Sequence, residues 1–233
     1  TNLDENGNVT AEINYDRDNW ENSTIKFTST GNVKITIQDY YFCTPTELTV
    51  EITERQPEVK FDVVMNNGDF LHRVGNSGTV ALDKLFKAKE DAEIGTISVT
   101  VEAVNGTSAS GTYSNNAIQF SGTGVVKVTV TDNDYCIPTE LYLEVVDAYN
   151  VTQYSELKGQ NSVFLSDITM SNGGTYRLTG NKVLYGNGFT FDVINGAYAG
   201  VEYDYASYVI YLENSRFDNI QINGAVYPKI GST

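Results

Sequence analysis

The residues of this 233-residue chain that most suggest a binding chemistry are tyrosines close to its C-terminal end. Four of them, Tyr198, Tyr203, Tyr205 and Tyr208, fall within one short stretch, and Tyr211 follows. A tyrosine ring pairs an apolar face with a polar tip, which suits stacking against a sugar ring. The cluster therefore predicts a glycan-binding surface. The alternative, which the sequence favours, is that a long insertion covers its own core with these rings.

Residues with catalytic or metal-binding side chains do not form a recognisable site. His72 is the only histidine and has no serine or cysteine partner that the sequence places near it, so we expect it at the surface or at its boundary. Asp132-Asn133-Asp134 has calcium-type oxygen ligands, but the matching positions 39–41 read Asp-Tyr-Tyr, which favours a plain turn. We therefore predict no metal site, no catalytic residues and no cofactor.

Six charged residues near the C-terminal end are candidates for an acid and base pair. Their spacing assigns neither role to any of them. They are Asp192, Asp204, Asp218, Arg177, Lys182 and Arg216.

A long internal repeat organises the first part of the chain. Shifting residues 25–52 by 93 positions places them on residues 118–145 without a gap, and 14 of the 28 pairs are identical. A period of this size indicates tandem domains rather than solenoid units. Cys43 and Cys136 match each other, so no disulfide can form within one repeat. We interpret each as a small buried side chain ahead of the last strand.

Both repeats show the period-two alternation of half-buried strands, as in Val33, Ile35 and Ile37. Six or seven such runs in about 90 residues predict an immunoglobulin-like β-sandwich, complete over residues 56–148. Residues 80–89 have helix-like spacing and predict a short helical turn. Residues 7–13 correspond to 95–101, so the repeat at 1–55 lacks counterparts of residues 59–93. The first sandwich is therefore expected to be incomplete at its N-terminal side, either because the sequence begins inside a domain or because another chain supplies the missing strand by strand exchange.

Residues 149–233 have a different pattern, with short apolar runs separated by Gly and Asn. Phe189 and Phe191 stand 21 residues before Ile210 and Leu212, a spacing that predicts one coil of a parallel β-helix. A mixed β-sandwich is the alternative. Only two or three coils are visible, so we expect this region to be truncated at Thr233.

Two stretches carry a resemblance to known families. Residues 124–130, GVVKVTV, followed by Asp132-Asn133-Asp134, are similar to the closing strands of Big-type immunoglobulin-like repeats in bacterial surface proteins. LYGNGFTFDV at 184–193 and YVIYLENSRFDNIQI at 208–222 resemble the opening coils of right-handed β-helix proteins of the pectate-lyase-like class. The two resemblances together imply an all-β, secreted or cell-surface bacterial protein.

Charge narrows the range of partners. The chain has 15 basic and 30 acidic residues, a net charge of −15, which argues against nucleic acid and against an anionic membrane surface. No apolar run is long enough for membrane insertion.

The sequence thus predicts a structural or adhesive segment of a large extracellular protein, in which an immunoglobulin-like stalk presents a β-helix. The expected partner is a host or environmental glycan or protein. The alternative is a carbohydrate-active or glycan-binding protein whose coils continue beyond this chain.

Overall fold

A computed structural model of the chain is all-β. It describes residues 9–16, 18–38, 44–65, 70–170, 174–193, 208–228 and 232, and no α-helix occurs among them. The chain divides into two compact units, Thr1–Pro57 and Glu58–Thr233, called here the first and second units. The predicted domain boundaries at residues 55 and 148 stay predictions.

The described residues of the first unit form two antiparallel hairpins and one short 3-10 turn at Trp20–Asn22. Strand β1 pairs with β2, and β3 pairs with β4. The strands are β1 (Ala11–Asn14), β2 (Thr24–Phe27), β3 (Gly31–Ile37) and β4 (Thr46–Ile52).

The second unit opens with a β-sandwich. Its strands are β5 (Glu58–Val59), β6 (Phe61–Val63), β7 (Arg73–Ser77), β8 (Thr79–Ala81), β9 (Phe86–Ala88), β10 (Ile97–Ala103), β11 (Ser110–Ser114), β12 (Ala117–Ser121), β13 (Gly124–Asp132), β14 (Cys136–Ile137) and β15 (Thr139–Val151). One sheet has the order β10-β13-β15, and the other has the order β11-β12-β8. Strands β6 and β9 form a separate pair, as do β5 and β14. A 3-10 turn at Leu82–Lys84 lies within the stretch predicted to form a helical turn.

One short segment joins the edges of both sheets. Strand β7 pairs in parallel with β15, whereas β8, which follows directly, pairs antiparallel with β12 in the other sheet. Gly78 separates them with φ +83°, a left-handed conformation that glycine adopts without a steric cost. Val74 and Val80 are completely buried between the sheets. Residues 73–81 therefore close the sandwich, and we call them the bridging segment.

The strands described after β15 form a stack in which neighbours are parallel. They are β16 (Ser162–Phe164), β17 (Ile168–Thr169), β18 (Gly174–Thr179), β19 (Val183–Tyr185), β20 (Thr190–Asp192), β21 (Tyr208–Glu213), β22 (Arg216–Asp218), β23 (Gln221–Asn223) and β24 (Ala225–Pro228). They form three ladders, β16-β19-β22, β17-β20-β23 and β18-β21-β24, so that each consecutive set of three strands makes one round. Strand β16 also pairs with the end of β15, which makes the first ladder continuous with a sandwich sheet.

The predicted 21-residue spacing of the stack is wrong. Phe191 pairs with Ile222, 31 residues later, while Ile210 pairs with Tyr176, 34 residues earlier. The tyrosine-rich stretch at 194–207 lies between β20 and β21 of one round. This stretch lengthens the middle round. The 21-residue spacing joins Phe191 of β20 to Leu212 of β21, which are two strands of that same round.

The two segments matched in sequence also match in register. Val33 pairs with Val50 in the first unit, and their counterparts Val126 and Leu143 pair in the second. The ion pair between Lys34 and Glu47 recurs between Lys127 and Glu140. One predicted correspondence is wrong, because β1 does not occupy the place of β10. Ala11 pairs with Phe27 as Gly111 pairs with Phe120, which puts β1 in the place of β11.

The matched positions differ in burial. Ile118 is fully buried, whereas Ile25 is 39% exposed. Leu141 is 8% exposed and Leu48 is 58% exposed. The same strands, in the same register, thus have a covered face in the second unit and an open face in the first.

Replacing each of the matched residues Ile118 and Ile25 with alanine should distinguish the buried environment from the exposed one. Ile118→Ala is expected to lower the free energy of unfolding of the second unit by about 2–5 kcal/mol, because it leaves a cavity in a packed core. Ile25→Ala should cost less than about 1 kcal/mol in the first unit, where the side chain already meets solvent. Urea unfolding monitored residue by residue by NMR measures both. Equal losses would contradict the open face of the first unit.

Candidate functional site

The predicted glycan-binding tyrosines fall mostly on residues that the structure does not describe. Tyr198, Tyr203 and Tyr205 lie outside the described residues. Tyr208 is the first residue of β21, paired with Gly174, and its side chain is also outside the described part. The predicted tyrosine surface therefore stays a prediction.

Tyr211, in the same strand, has a defined neighbour. Arg177 lies opposite it in β18, and its guanidinium carbon is 4.4 Å from the centre of the tyrosine ring. Arg177 is exposed and Tyr211 is half-buried, whereas Tyr176 and Ile210 beside them point into the core. A guanidinium over an aromatic face is a favourable cation–π arrangement. It leaves a flat surface with several N–H donors at the outside of the stack, and we call these two residues the Arg–Tyr pair.

Two of the other charged candidates serve local contacts. Asp218 accepts a hydrogen bond from Nη1 of Arg73 at 3.1 Å. Asp192 accepts one from the Asn223 amide at 3.2 Å on the neighbouring strand of its ladder. Asp204 lies outside the described residues. These contacts give the aspartates a role in holding strands together.

A buried asparagine joins the bridging segment to the stack. Oδ1 of Asn187 accepts a hydrogen bond from the backbone N–H of Arg73 at 2.8 Å, and its Nδ2 donates to the Arg73 carbonyl at 2.8 Å and to the Phe164 carbonyl at 3.0 Å. The residue is 2% exposed and has φ +52°, which asparagine tolerates better than most residues. Asn187 thus satisfies two backbone groups of β7 as a neighbouring strand would.

The side chain of Arg73 reinforces the same junction. Its Nε donates to Glu144 of β15 at 2.8 Å, and its guanidinium lies 5.2 Å from the centre of the Tyr185 ring in β19. With its bond to Asp218, one arginine contacts the sandwich and two strands of the stack. On the other side, Asn150 exchanges hydrogen bonds of 2.7 and 2.9 Å with the backbone of Gly75. The sequence did not predict this junction, because the residues that form it are far apart in sequence and belong to no local motif.

A buried ion pair lies at one end of the sandwich. Nζ of Lys60 is 3.1 Å from Oδ2 of Asp132, and both side chains are fully shielded from solvent. Hydrogen bonds from the backbone N–H groups of Gly95 and Asp134, together with Lys60, hold the pKa of the Asp132 carboxyl below its usual value. Lys60 donates a further hydrogen bond to the Glu93 carbonyl at 2.7 Å. The Asp-Asn-Asp turn considered as a calcium site therefore anchors a lysine.

His72 was expected at the surface or at its boundary, whereas its side chain is buried. Its side chain is 4% exposed and its ring centre lies 4.7 Å from that of Phe70. The residue immediately precedes β7, so closure of the sandwich carries it inward. Burial lowers the pKa of the imidazole, because the charged form loses its hydration.

The first unit contains an open apolar cleft between its two hairpins. The cleft has a volume of about 910 Å³ and is lined mainly by aliphatic and aromatic side chains. Ile13 and Ile25 line it from one hairpin, and Val33, Ile35 and Ile37 line it from the other. Its apolar lining favours a hydrophobic occupant.

The described residues hold no group of three or more His, Cys, Asp or Glu side chains arranged to bind a metal ion. Within that same part of the chain, no helix has the length and hydropathy to cross a membrane. Comparisons with family models, with curated proteins and with solved structures found no match to this chain.

Removing the Asn187 side chain should weaken the junction. Asn187→Ala is expected to lower the stability of the second unit by about 1–3 kcal/mol, because buried backbone groups of Arg73 lose their partners. Asn181→Ala is the matched control. Asn181 is exposed and also has a positive φ of 63°, so both variants carry a similar backbone strain. Thermal unfolding measures the difference in stability between the two variants. Equal destabilisation would show that loss of the Asn187 hydrogen bonds is not its cause.

His72 should make the second unit less stable in mild acid. Because its pKa in the folded state lies below the ordinary value of 6.5, the unfolded state binds a proton first as the pH falls. Stability is therefore fully present above about pH 6.5 and declines towards the lower folded-state pKa. Unfolding midpoints between pH 7.5 and 5.5 should fall for the native chain and less steeply for His72→Leu. His72 is the only histidine in the chain. Parallel curves for the two proteins would therefore show that histidine titration does not contribute to the pH dependence of stability.

Proposed function

We propose that this chain is a structural and adhesive segment of a large secreted or cell-surface bacterial protein. In this proposal the sandwiches are immunoglobulin-like and form a stalk, and the parallel stack is the beginning of a right-handed β-helix that the stalk presents. The observation that supports it is the 13-residue strand β15. It pairs with β13 in the sandwich and with β16 of the stack, so one sheet runs through both.

A shared strand suits a load-bearing role. Separating the sandwich from the stack requires breaking backbone hydrogen bonds of β15 together with the contacts of Arg73 and Asn187. Domains joined only by a linker move relative to each other more readily than domains that share a strand. The net charge of −15 favours solubility of an exposed surface.

The second candidate function is glycan binding by the outer face of the stack. The Arg–Tyr pair supports it, since it offers a partly exposed aromatic ring and guanidinium donors at one place. The tyrosines at 198, 203 and 205 belong to the stretch that immediately precedes this strand. A sugar would pack against the exposed side of the Arg–Tyr pair and accept hydrogen bonds from the arginine.

Labelling of intact cells tests the proposed location. An antibody raised against residues 58–233 should label cells of the source organism without permeabilisation, as strongly as it labels permeabilised cells. Labelling that requires permeabilisation would rule out a surface role. An antibody against a cytoplasmic protein serves as the control for cell integrity.

A glycan array tests the binding function. If the native chain binds a glycan, Tyr211→Ala and Arg177→Ala should each weaken that binding by roughly fivefold or more. Tyr203→Ala and Tyr205→Ala extend the test to the predicted stretch. Tyr142→Ala, at an exposed tyrosine of β15, should leave binding unchanged. Binding that survives the changes at positions 177, 203, 205 and 211 would place the site elsewhere.

A further inference from the structure

The connection between β15 and β16 covers the start of the parallel stack. It contains a 3-10 turn at Tyr154–Glu156. Leu157 belongs to the core of the stack, and Tyr154 packs against that core with its ring centre 6.4 Å from that of Phe191. Residues 152–161 therefore form a cap over the first round, and we call them the cap loop.

Beside the cap loop, the ring of Tyr149 stays open to solvent. Tyr149 and Val151 are two residues apart in β15, so their side chains lie on the same face of the strand. Val151 is 1% exposed and belongs to the core of the stack, whereas Tyr149 is 51% exposed. The residue paired with Tyr149 in β16 is Ser162, whose small side chain is fully buried. The cap loop thus covers one part of this face and leaves the tyrosine ring accessible.

A cleft of about 450 Å³ lies between the end of β15 and the cap loop. Its volume falls within the range of about 300–1,000 Å³ that is typical of small-molecule sites. We call it the cap cleft. Its lining includes one aromatic, one aliphatic and four polar side chains, which are Tyr149, Val151, Ser155, Glu156, Lys158 and Gln160.

Three of the polar side chains are available to a ligand. Within the described part of the chain, the side chains of Ser155, Lys158 and Gln160 make no hydrogen bond or ion pair. They offer a hydroxyl group, an ammonium group with three donors, and an amide that both donates and accepts. A small number of polar groups placed around an apolar surface is the usual composition of a specific small-molecule site.

The fourth polar side chain, Glu156, is held in position by the cap loop itself. Its Oε2 accepts a hydrogen bond from the backbone N–H of Thr152 at 2.7 Å. Its Oε1 accepts one from the side-chain amide of Gln153 at 3.2 Å. Because each oxygen of an ionised carboxylate has two lone pairs, Oε1 retains an acceptor site for a hydroxyl group of a ligand.

We propose that the cap cleft binds a neutral sugar residue in its pyranose form. Tyr149 provides the apolar face against which the sugar ring packs. The sugar hydroxyl groups donate to Glu156 and accept hydrogen bonds from Lys158 and Gln160. One carboxylate and one ammonium group line the cleft, so their charges balance and favour a ligand without net charge. The net charge of −15 on the chain also opposes an anionic ligand.

This site goes beyond the proposed function and is independent of the Arg–Tyr pair. The two share no residue, since the cap cleft is formed by β15 and the cap loop, whereas Arg177 and Tyr211 belong to β18 and β21. Failure of one site to bind therefore leaves the other to be judged by its own variants.

The probes for the experiment are the methyl glycosides of glucose, galactose, mannose and N-acetylglucosamine, each titrated into the full 233-residue chain and followed by NMR. At least one should cause saturable shifts at Tyr149 and in the cap loop. The dissociation constant should be roughly millimolar, as for a ligand of about a dozen non-hydrogen atoms. Sorbitol, which has the hydroxyl groups without the ring, should cause no saturable shifts. Absence of binding by all four glycosides, or equal binding of sorbitol, would overturn the proposal.

Chain variants place the sugar in the cap cleft. Tyr149→Ala should weaken binding by about two- to tenfold, the range for loss of an aromatic packing face. Gln160→Ala should weaken it by about two- to tenfold, the range for loss of one hydrogen bond. Tyr142→Ala, at a tyrosine of the same strand that is 48% exposed, is the matched control and should leave the affinity unchanged. Equal affinities of the Tyr149→Ala and Tyr142→Ala chains would contradict the assignment.

Tyr211→Ala separates this site from the Arg–Tyr pair. The substitution should leave binding of the methyl glycoside to the cap cleft unchanged. Loss of binding in Tyr211→Ala, with native affinity in Tyr149→Ala, would overturn the cap cleft and support the Arg–Tyr pair instead.

Discussion

The pairing of β7 with β15 is the interaction on which the second unit depends. A sheet that ends in solvent leaves a row of backbone N–H and C=O groups without partners, and its apolar face needs a second layer. Strand β7 supplies hydrogen bonds to the edge of β15, and β8 continues the same segment into the opposite sheet. Its own backbone is satisfied in turn by Asn150 and Asn187. Nine residues therefore join two sheets of the sandwich and fix the stack beside them.

The strand content was predictable because alternation of apolar and polar residues is a local signal. It identified the strands β3, β4, β13 and β15, and the shift of 93 residues anticipated their common register. Pairing partners over longer distances were not predictable. The 21-residue spacing failed because spacing alone does not reveal where within a round extra residues are inserted. The prediction for the exposure of His72 failed for a related reason. The residues next to it in sequence do not determine which distant segments pack around it.

The two matched segments show that burial is not a property of local sequence. Ile25 and Ile118 have the same identity and one equivalent strand partner, β1 and β11 respectively, but different solvent exposure. What differs is the presence of a segment distant in sequence. The Arg–Tyr pair of the candidate site likewise joins two residues that are distant in sequence. Their contact required the parallel register of β18 with β21, 34 residues apart, which no local pattern contains.

The position of the 194–207 stretch has a consequence for how this protein can diversify. Strand β20 pairs with β23 and β21 pairs with β24, so the ladders on both sides of the stretch are held by strands outside it. A connection between two strands that are fixed in this way can change in length at a small entropic cost. A change in the number of residues between β20 and β21 therefore leaves the strand pairing of both ladders intact. The chain can vary at this one connection while the stack of strands around it keeps its register.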